Sequence, residues 1–309
     1  MDKQLFADDA DILPPSNDRI FKVLLTRPDA KQVLMDIIST VIEQKVTDVQ
    51  IRNNELPVSD TEEKEERFDV NCTIDNGDQV DVEMHCEERV EIGPRFTNFI
   101  NKYTYYLTDL HSSQKSKGVK YKNLKKTYQI TFSTHSVFKG RHDFFSWFTL
   151  RTKDAYQLTD QINMIIIELD KLESALRKPV GILTPQEKWS LFLRFAQDPM
   201  HRNKINAIIN DKQEIAMAAS LLKEISKDEN ERARLRSRRM YETDRISDLL
   251  TAHEKGEIEG EKRGKIEGKI EGRIEGEMCE REKWQVVVAE KDAEIARLQA
   301  ELTKQCQAP

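Results

Sequence analysis

The chain has 309 residues, 34% of them charged and 38% hydrophobic, enough for one ordinary domain with a buried core plus an accessory part. No run of about 18 apolar residues occurs, which excludes a membrane-spanning helix, and Asp8, Asp9 and Asp11 stand where a secretory leader would carry basic residues. Cys72, Cys86, Cys279 and Cys306 lack CxxC spacing, so a disulfide framework and a zinc ribbon are excluded and free thiols in a reducing cytoplasm are expected. A net charge of -6 makes any polyanion site a local one.

Residues 17–44 carry apolar groups at helical spacing broken by Pro28, which predicts a short helix from Asp18 and a second from about Asp29. Alternating apolar and polar residues predict strands at 46–51, 68–74 and 80–86, with two more at 128–132 and 164–169. An aromatic-rich helix is expected over 96–110, between the third and fourth strands, and further helices over 189–195 and 205–225. These elements describe a mixed α/β domain.

The informative segment is RFDVNCTIDNGDQVDVEMHCEE, 67–88. Phe68, Val70, Cys72 and Ile74 share one face of the first strand, leaving Asp69, Asn71 and Thr73 on the other. In the second strand Val80, Val82, Met84 and Cys86 oppose Asp81, Glu83 and His85. A two-residue Asn76-Gly77 turn would set Val70 against Glu83 and Cys72 against Asp81, so that register is rejected. A three-residue loop, Asp75-Asn76-Gly77 with Gly77 left-handed, pairs Val70 with Val82 and Phe68 with Met84. It also sets Asp69 opposite Glu83, with Cβ atoms about 5 Å apart, where two carboxylates repel unless a cation lies between them. A hard divalent ion takes one or two such carboxylates and keeps waters for substrate phosphate, and Asp81 is near enough to be an alternative ligand. The plain alternative is an antiparallel sheet with one solvated acidic face.

Beyond the hairpin, Lys115, Lys117, Lys120, Lys122, Lys125 and Lys126 place six cations in twelve residues around Tyr121. A second basic run is Arg232, Arg234, Arg236, Arg238 and Arg239. Each is either a solvated face or a contact for phosphate. Glu168, in the apolar run IIIELDK, needs a partner, which a lysine at the strand end would supply. No GxSxG, GxxxxGKS or GxGxxG is present, so serine-hydrolase and P-loop chemistry have nothing to rest on.

The last stretch has a different character. Eight of nine prolines lie at or before Pro199 and the ninth is Pro309, so 200–308 is free to be continuously helical. Residues 230–309 hold 18 acidic and 17 basic side chains, the mixed-sign pattern of an exposed helix. Gly256, Gly260, Gly264, Gly268, Gly272 and Gly276 recur every fourth residue, and Ile258, Ile266, Ile270 and Ile274 share that period. Mid-helix glycine costs about 0.8–1 kcal/mol relative to alanine. Small residues at this spacing let two backbones approach, so homo-oligomerisation through the C-terminal helix is one reading and a solvated spacer the other. Val286–Val288, Ile295, Leu298 and Leu302 offer a stripe for a short coiled coil.

Taken in order, NDRIFKVLL, RFDVNCTIDNGDQVDVEMH, NKYTYYLTDL, GVKYKNLKKTYQITF and INMIIIELDK resemble the recombination-promoting nuclease, or PD-(D/E)XK nuclease family transposase, group over about 17–175. The Glu-Gly tail also looks like tails of that group. The resemblance implies an α/β fold: a PD-(D/E)XK nuclease-like αβββαβ core with a mixed sheet over 17–175, a helical extension over 176–229, and a long C-terminal helical tail over 230–309. It implies that Asp69 and Glu83 coordinate Mg²⁺, with Mn²⁺ as a substitute, and that the chain cuts double-stranded DNA in recombination or transposition. Asp18 matches the family's Asp or Asn ahead of its Phe-Lys pair, here Phe21 and Lys22. His85 departs from the pattern, standing where the family has glutamine and the wider superfamily lysine. A neutral imidazole could orient or deprotonate the attacking water, a protonated one could stabilise developing negative charge, and either form could alter metal preference. Loss of turnover is the remaining outcome, leaving a catalytically inactive interaction protein that oligomerises through its C-terminal helix.

Overall fold

The computed structural model describes residues 6–7, 11–52, 69–86, 95–115 and 120–306. Residues 1–238 form one compact unit and 239–309 a second. The first unit opens with α1 (Asp18–Thr26), capped by the Asn17 side chain accepting from the Ile20 amide, and α2 (Lys31–Val41) after a 3-10 turn at Pro28–Ala30. Both helices turn every third or fourth residue inward: Ile20, Phe21, Leu24 and Leu25, then Val33, Leu34, Ile37 and Ile38.

Three antiparallel strands follow, β1 (Val49–Ile51), β2 (Val70–Ile74) and β3 (Gln79–His85). The eighteen-residue α3 (Arg95–Ser112) then crosses over to β4 (Thr127–Ser133), which pairs parallel to β3. This is the expected αβββαβ order. The sheet continues with the hairpin β5 (Phe145–Arg151) and β6 (Gln157–Glu168), β6 lying parallel to β4, to give six strands in the order β1-β2-β3-β4-β6-β5. The sheet is therefore mixed, as a parallel crossover joined to antiparallel hairpins requires.

Both sheet faces are covered. One carries Val70, Cys72, Val80, Val82, Met84, Tyr128, Ile130, Phe132, Ile165 and Ile167 into the main core. That core is closed by α1, α2 and the later helices α5 (Pro185–Phe195), α6 (Arg202–Asp211) and α7 (Gln213–Lys227), preceded by the short α4 (Glu173–Arg177). On the other face α3 lays Phe99, Tyr103 and Leu107, one helical turn apart, against Met164 and Ile166. The rest of that face is polar yet buried: Asp81, Glu83, Thr127, Gln129, Thr131 and Ser133 are all within 3% of complete burial.

The β2–β3 register is the one that the apolar pairing predicts, Val70 opposite Val82 and Cys72 opposite Val80. It is set by the three-residue loop, in which the Gly77 amide donates to Ile74 carbonyl oxygen and Gly77 has φ +88°. A side chain there would be strained by that left-handed conformation and would also meet Lys125 Cε at 3.1 Å. The partner expected for Met84, Phe68, lies outside the described residues.

Three expectations need correction. β5 has no counterpart among the predicted strands, because Phe145, Trp147 and Phe148 break strict alternation on an edge that is half exposed. β6 begins seven residues ahead of its apolar run, since Gln157–Ile162 pairs with β5 where little is buried. The continuous helix expected from 200 is interrupted at Lys212 and Asp228, both extended. Lys212 turns there with its ammonium 2.9 Å from Asp36, and Asp228 accepts from the Asn230 amide to start α8 (Glu229–Cys306). From that point the helix is unbroken. Among the described residues no helix is long and apolar enough to cross a membrane.

Candidate active site

The β2–β3 ladder puts Asp69, Asn71, Asp81 and Glu83 on the face that α3 covers. Asp69 and Glu83 grip each other's strand: Met84 amide donates to Asp69 Oδ2 at 3.0 Å, and Asp69 amide donates to Glu83 Oε1 at 2.8 Å. The acids are not a solvated face. Asp81 is fully buried and Glu83 is 3% exposed. Among the described residues neither Asp81 oxygen has a donor at full hydrogen-bond geometry; the Gln129 amide beside it on β4 opposes its protonation only in part.

Burial without compensation shows in the proton affinities. Asp69 is raised to about 6, by desolvation first and by Asp18 in addition, against a pull from the Met84 amide. Asp81 and Glu83 are raised well above the ordinary carboxylate range, by desolvation and by the neighbouring carboxylates. His85 goes the other way, lowered to about 4 by burial and then by the charge of Lys102 and His135, so the imidazole is neutral near pH 7. Its Nδ1 lies 3.1 Å from the Tyr103 hydroxyl, and its ring stands edge-on to Phe99 at 4.8 Å between centroids. The Tyr103 phenol is itself pushed up by burial and by Glu83, Asp69 and Asp81, which keeps it protonated.

Asp18 joins this end of the sheet through α1. Its Oδ1 accepts from the Arg19 amide at 2.7 Å, and Oδ2 is held by Arg238 of α8. Two other arginines of that run are also engaged: Arg232 with Asp11, and Arg234 with Glu231, which in turn binds Arg19 through two bonds of 2.9 Å. Three of the five thus tie the root of α8 to residues 11–19, while Arg236 and Arg239 are exposed.

The lysine segment is not brought to the carboxylates. It leads into the start of β4, where Lys125 donates to the Asn76 carbonyl at 2.7 Å and Lys126 pairs with Asp160 at 2.6 Å. Lys126 is five residues from Thr131, the neighbour of Glu83, which puts it about 17 Å away along the strands. Lys115 lies over the Tyr121 ring at 4.2 Å; Lys120 and Lys122 are exposed, and Lys117 lies outside the described residues. Glu168 does find its lysine: Lys171 reaches Oε1 at 2.8 Å, which also accepts from the Val137 and Phe138 amides.

A family model described as PD-(D/E)XK nuclease family transposase matches residues 15–252. The chain belongs to this family. A search of curated proteins and one of solved structures returned no match. For the PD-(D/E)XK nuclease family transposase fold, the observed six-stranded mixed sheet with flanking helices and a long C-terminal helix is the expected α/β architecture. The matched region runs from the loop before α1 into α8 and ends before Gly256, so the glycine repeat lies beyond it.

The donor chemistry of the acidic row suits a hard divalent ion, since two carboxylates converge and a third is buried with unsatisfied oxygens. Among the described residues no three His, Cys, Asp or Glu side chains group as a complete metal site, so waters or substrate oxygens would have to complete a two-carboxylate site. Asp81, Tyr103, Gln129 and His135 were not singled out as central by sequence. Burial of both sheet faces would have drawn attention to the first three, and only the fold brings His135 near His85.

These shifts give a stability profile. Unfolded carboxylates titrate at 3.8–4.5, so the folded chain retains protons on Asp69, Asp81 and Glu83 that the unfolded chain has released. Stability from that retention is full below about pH 4 and is lost as pH rises through 6 and beyond. His85 has the opposite sign: its contribution is present above the unfolded value of 6.5 and lost as pH falls through about 4. In EDTA three raised carboxylates outweigh one lowered imidazole, so the melting temperature should fall by several degrees from about pH 5 towards pH 8. Scanning fluorimetry across that range checks it, and a rise from pH 6 to 8 would contradict it.

Proposed function

We propose that this chain is a divalent-cation-dependent DNA endonuclease acting in recombination or transposition, with self-association carried by α8. The observation that carries the reading is the row of half-buried Asp69 and buried Asp81 and Glu83 on one sheet face, with no basic group among the described residues hydrogen-bonded to Asp81. Asp69 and Glu83 would hold Mg²⁺ or Mn²⁺, which supplies positive charge to a phosphoryl oxygen and acidifies an attacking water. Asp81 adds negative charge behind them, and Asp18, at the start of α1, is the fourth acid whose field reaches Asp69. His85, neutral and set against Tyr103, is suited to receive or orient the water proton rather than to supply a cation.

The lysines from Lys115 to Lys126 would meet duplex backbone away from the cutting point, a placement in keeping with a polyanion that spans the domain. The inactive-scaffold alternative rests on His85 standing where the motif has glutamine or lysine. Plasmid DNA incubated with Mg²⁺ or Mn²⁺ separates the two. Nicking is expected from the native protein and not from Asp69→Ala; equal nicking by both, or none by either, counts against the enzyme.

A further inference from the structure

The acidic row poses an electrostatic problem for any polyanionic substrate, and one side chain on α3 answers it. Phe99, Tyr103 and Leu107 are the positions by which α3 packs on the sheet. Lys102, one residue from Tyr103, therefore stands at the flank of that buried stripe and is exposed. Its ammonium does not wander freely. Nζ lies 4.8 Å from the Tyr103 ring centroid and 5.2 Å from that of Tyr106, in the angle between two rings that are nearly perpendicular and 6.0 Å apart. Two aromatic faces hold a lysine without neutralising it.

Near this end of the sheet Arg238 is bound to Asp18 and Arg19 to Glu231, while Lys22 of α1 also acts on Asp69 and Asp81; Lys126 is paired with Asp160 far along the strands. Among the described residues Lys102 makes no ion pair with a carboxylate, yet its charge is felt by Asp69, Asp81 and Glu83. A cation held by aromatic rings beside three acids has an open coordination for an anion. Tyr105, exposed and 6.5 Å from Tyr106, extends the aromatic patch beside it.

We propose that Lys102, held between Tyr103 and Tyr106, binds a DNA phosphate at the acidic row. The inference rests on the endonuclease reading for its ligand but concerns binding, so the two can fail separately. It assigns the local phosphate contact to α3, and leaves the lysine segment before β4 a more distant, sequence-independent role.

The test uses the full chain carrying Glu83→Gln, to prevent cutting, and a short fluorescein-labelled DNA duplex read by anisotropy over a series of KCl concentrations with Ca²⁺ present. Adding Lys102→Ala should weaken binding about tenfold and lower the slope of log K against log salt by about 0.9, the release of one phosphate's counterion. Lys102→Arg should retain both affinity and slope. A melting curve matching the parent excludes misfolding as the cause. Unchanged affinity and slope in Lys102→Ala, or absence of duplex binding by the parent at low salt, overturns the proposal. If the native protein nicks plasmid while Lys102→Ala binds as the parent does, only the lysine assignment falls. If binding depends on Lys102 but the native protein never nicks, the phosphate contact stands and the endonuclease reading falls.

Discussion

Replacing Glu83 by glutamine should abolish DNA nicking and, in the same protein, raise the melting temperature. Glutamine keeps the size of glutamate, and its Oε1 can still accept from the Asp69 amide. What disappears is a carboxylate buried beside two others, whose proton affinity is driven up by desolvation, Asp81 and Asp69. For Asp69 the displacement from 3.8 to about 6 corresponds to about 3 kcal/mol of unfavourable ionisation. Glu83 is shifted in the same direction, so relief of its penalty should raise the melting temperature at pH 8 by several degrees. Nicking should fall by about three orders of magnitude, equivalent to about 4 kcal/mol of transition-state stabilisation. Asp81→Asn should stabilise in the same direction. An acid kept for folding would behave otherwise, losing stability when neutralised and leaving initial nicking rates alone; that outcome for Glu83→Gln would remove the carboxylates from the site.

The second large effect is expected in α8. Changing Gly256, Gly260, Gly264, Gly268, Gly272 and Gly276 together to alanine should favour the helix by about 5–6 kcal/mol in sum. Nothing lies within 4 Å of where any of the six new methyl groups would stand, so no steric term opposes the gain. Circular dichroism should show helix persisting to higher temperature. If close backbone approach at these glycines joins two copies, the same change separates them, and sedimentation should give a lower mass for the alanine form than for the native chain. Equal masses would discard the glycine seam, and a native monomer would discard self-association. Ile258, Ile266, Ile270 and Ile274 remain 50–59% exposed, an apolar surface for which unit 2 by itself offers no cover.

How far the sequence reaches can be judged from particular residues. The hairpin register was legible because a one-residue slip would have set Val70 against Glu83, and a buried face does not tolerate that. The helices α1, α2 and α3 were legible from apolar spacing and, for the first two, from Pro28 as punctuation. β5 was not, since an edge strand with Trp147, Phe148 and Leu150 partly exposed carries no clean alternation. The break at Lys212 was invisible for a different reason: no glycine or proline marks it, and the ion pair with Asp36 joins residues 176 apart in the chain. At the candidate site, the facing acids could be read from strand pairing. Their burial could not, because it depends on α3 closing over them, and neither could Lys102, whose place follows from helix packing.

The glycine and isoleucine repeat of α8 has a geometric consequence. A four-residue step on a helix of 3.6 residues per turn advances the stripe by about 40°, so from Ile258 to Ile274 it swings through about 160° in about 24 Å. A complete circuit would take about 54 Å and wind right-handed, against about 150 Å for the left-handed rope of an ordinary two-stranded coil. Two such helices cannot stay zipped for long along this seam without steep bending. They would meet over a turn or two and part again, so any joint formed along this seam would be a clasp that exchanges readily.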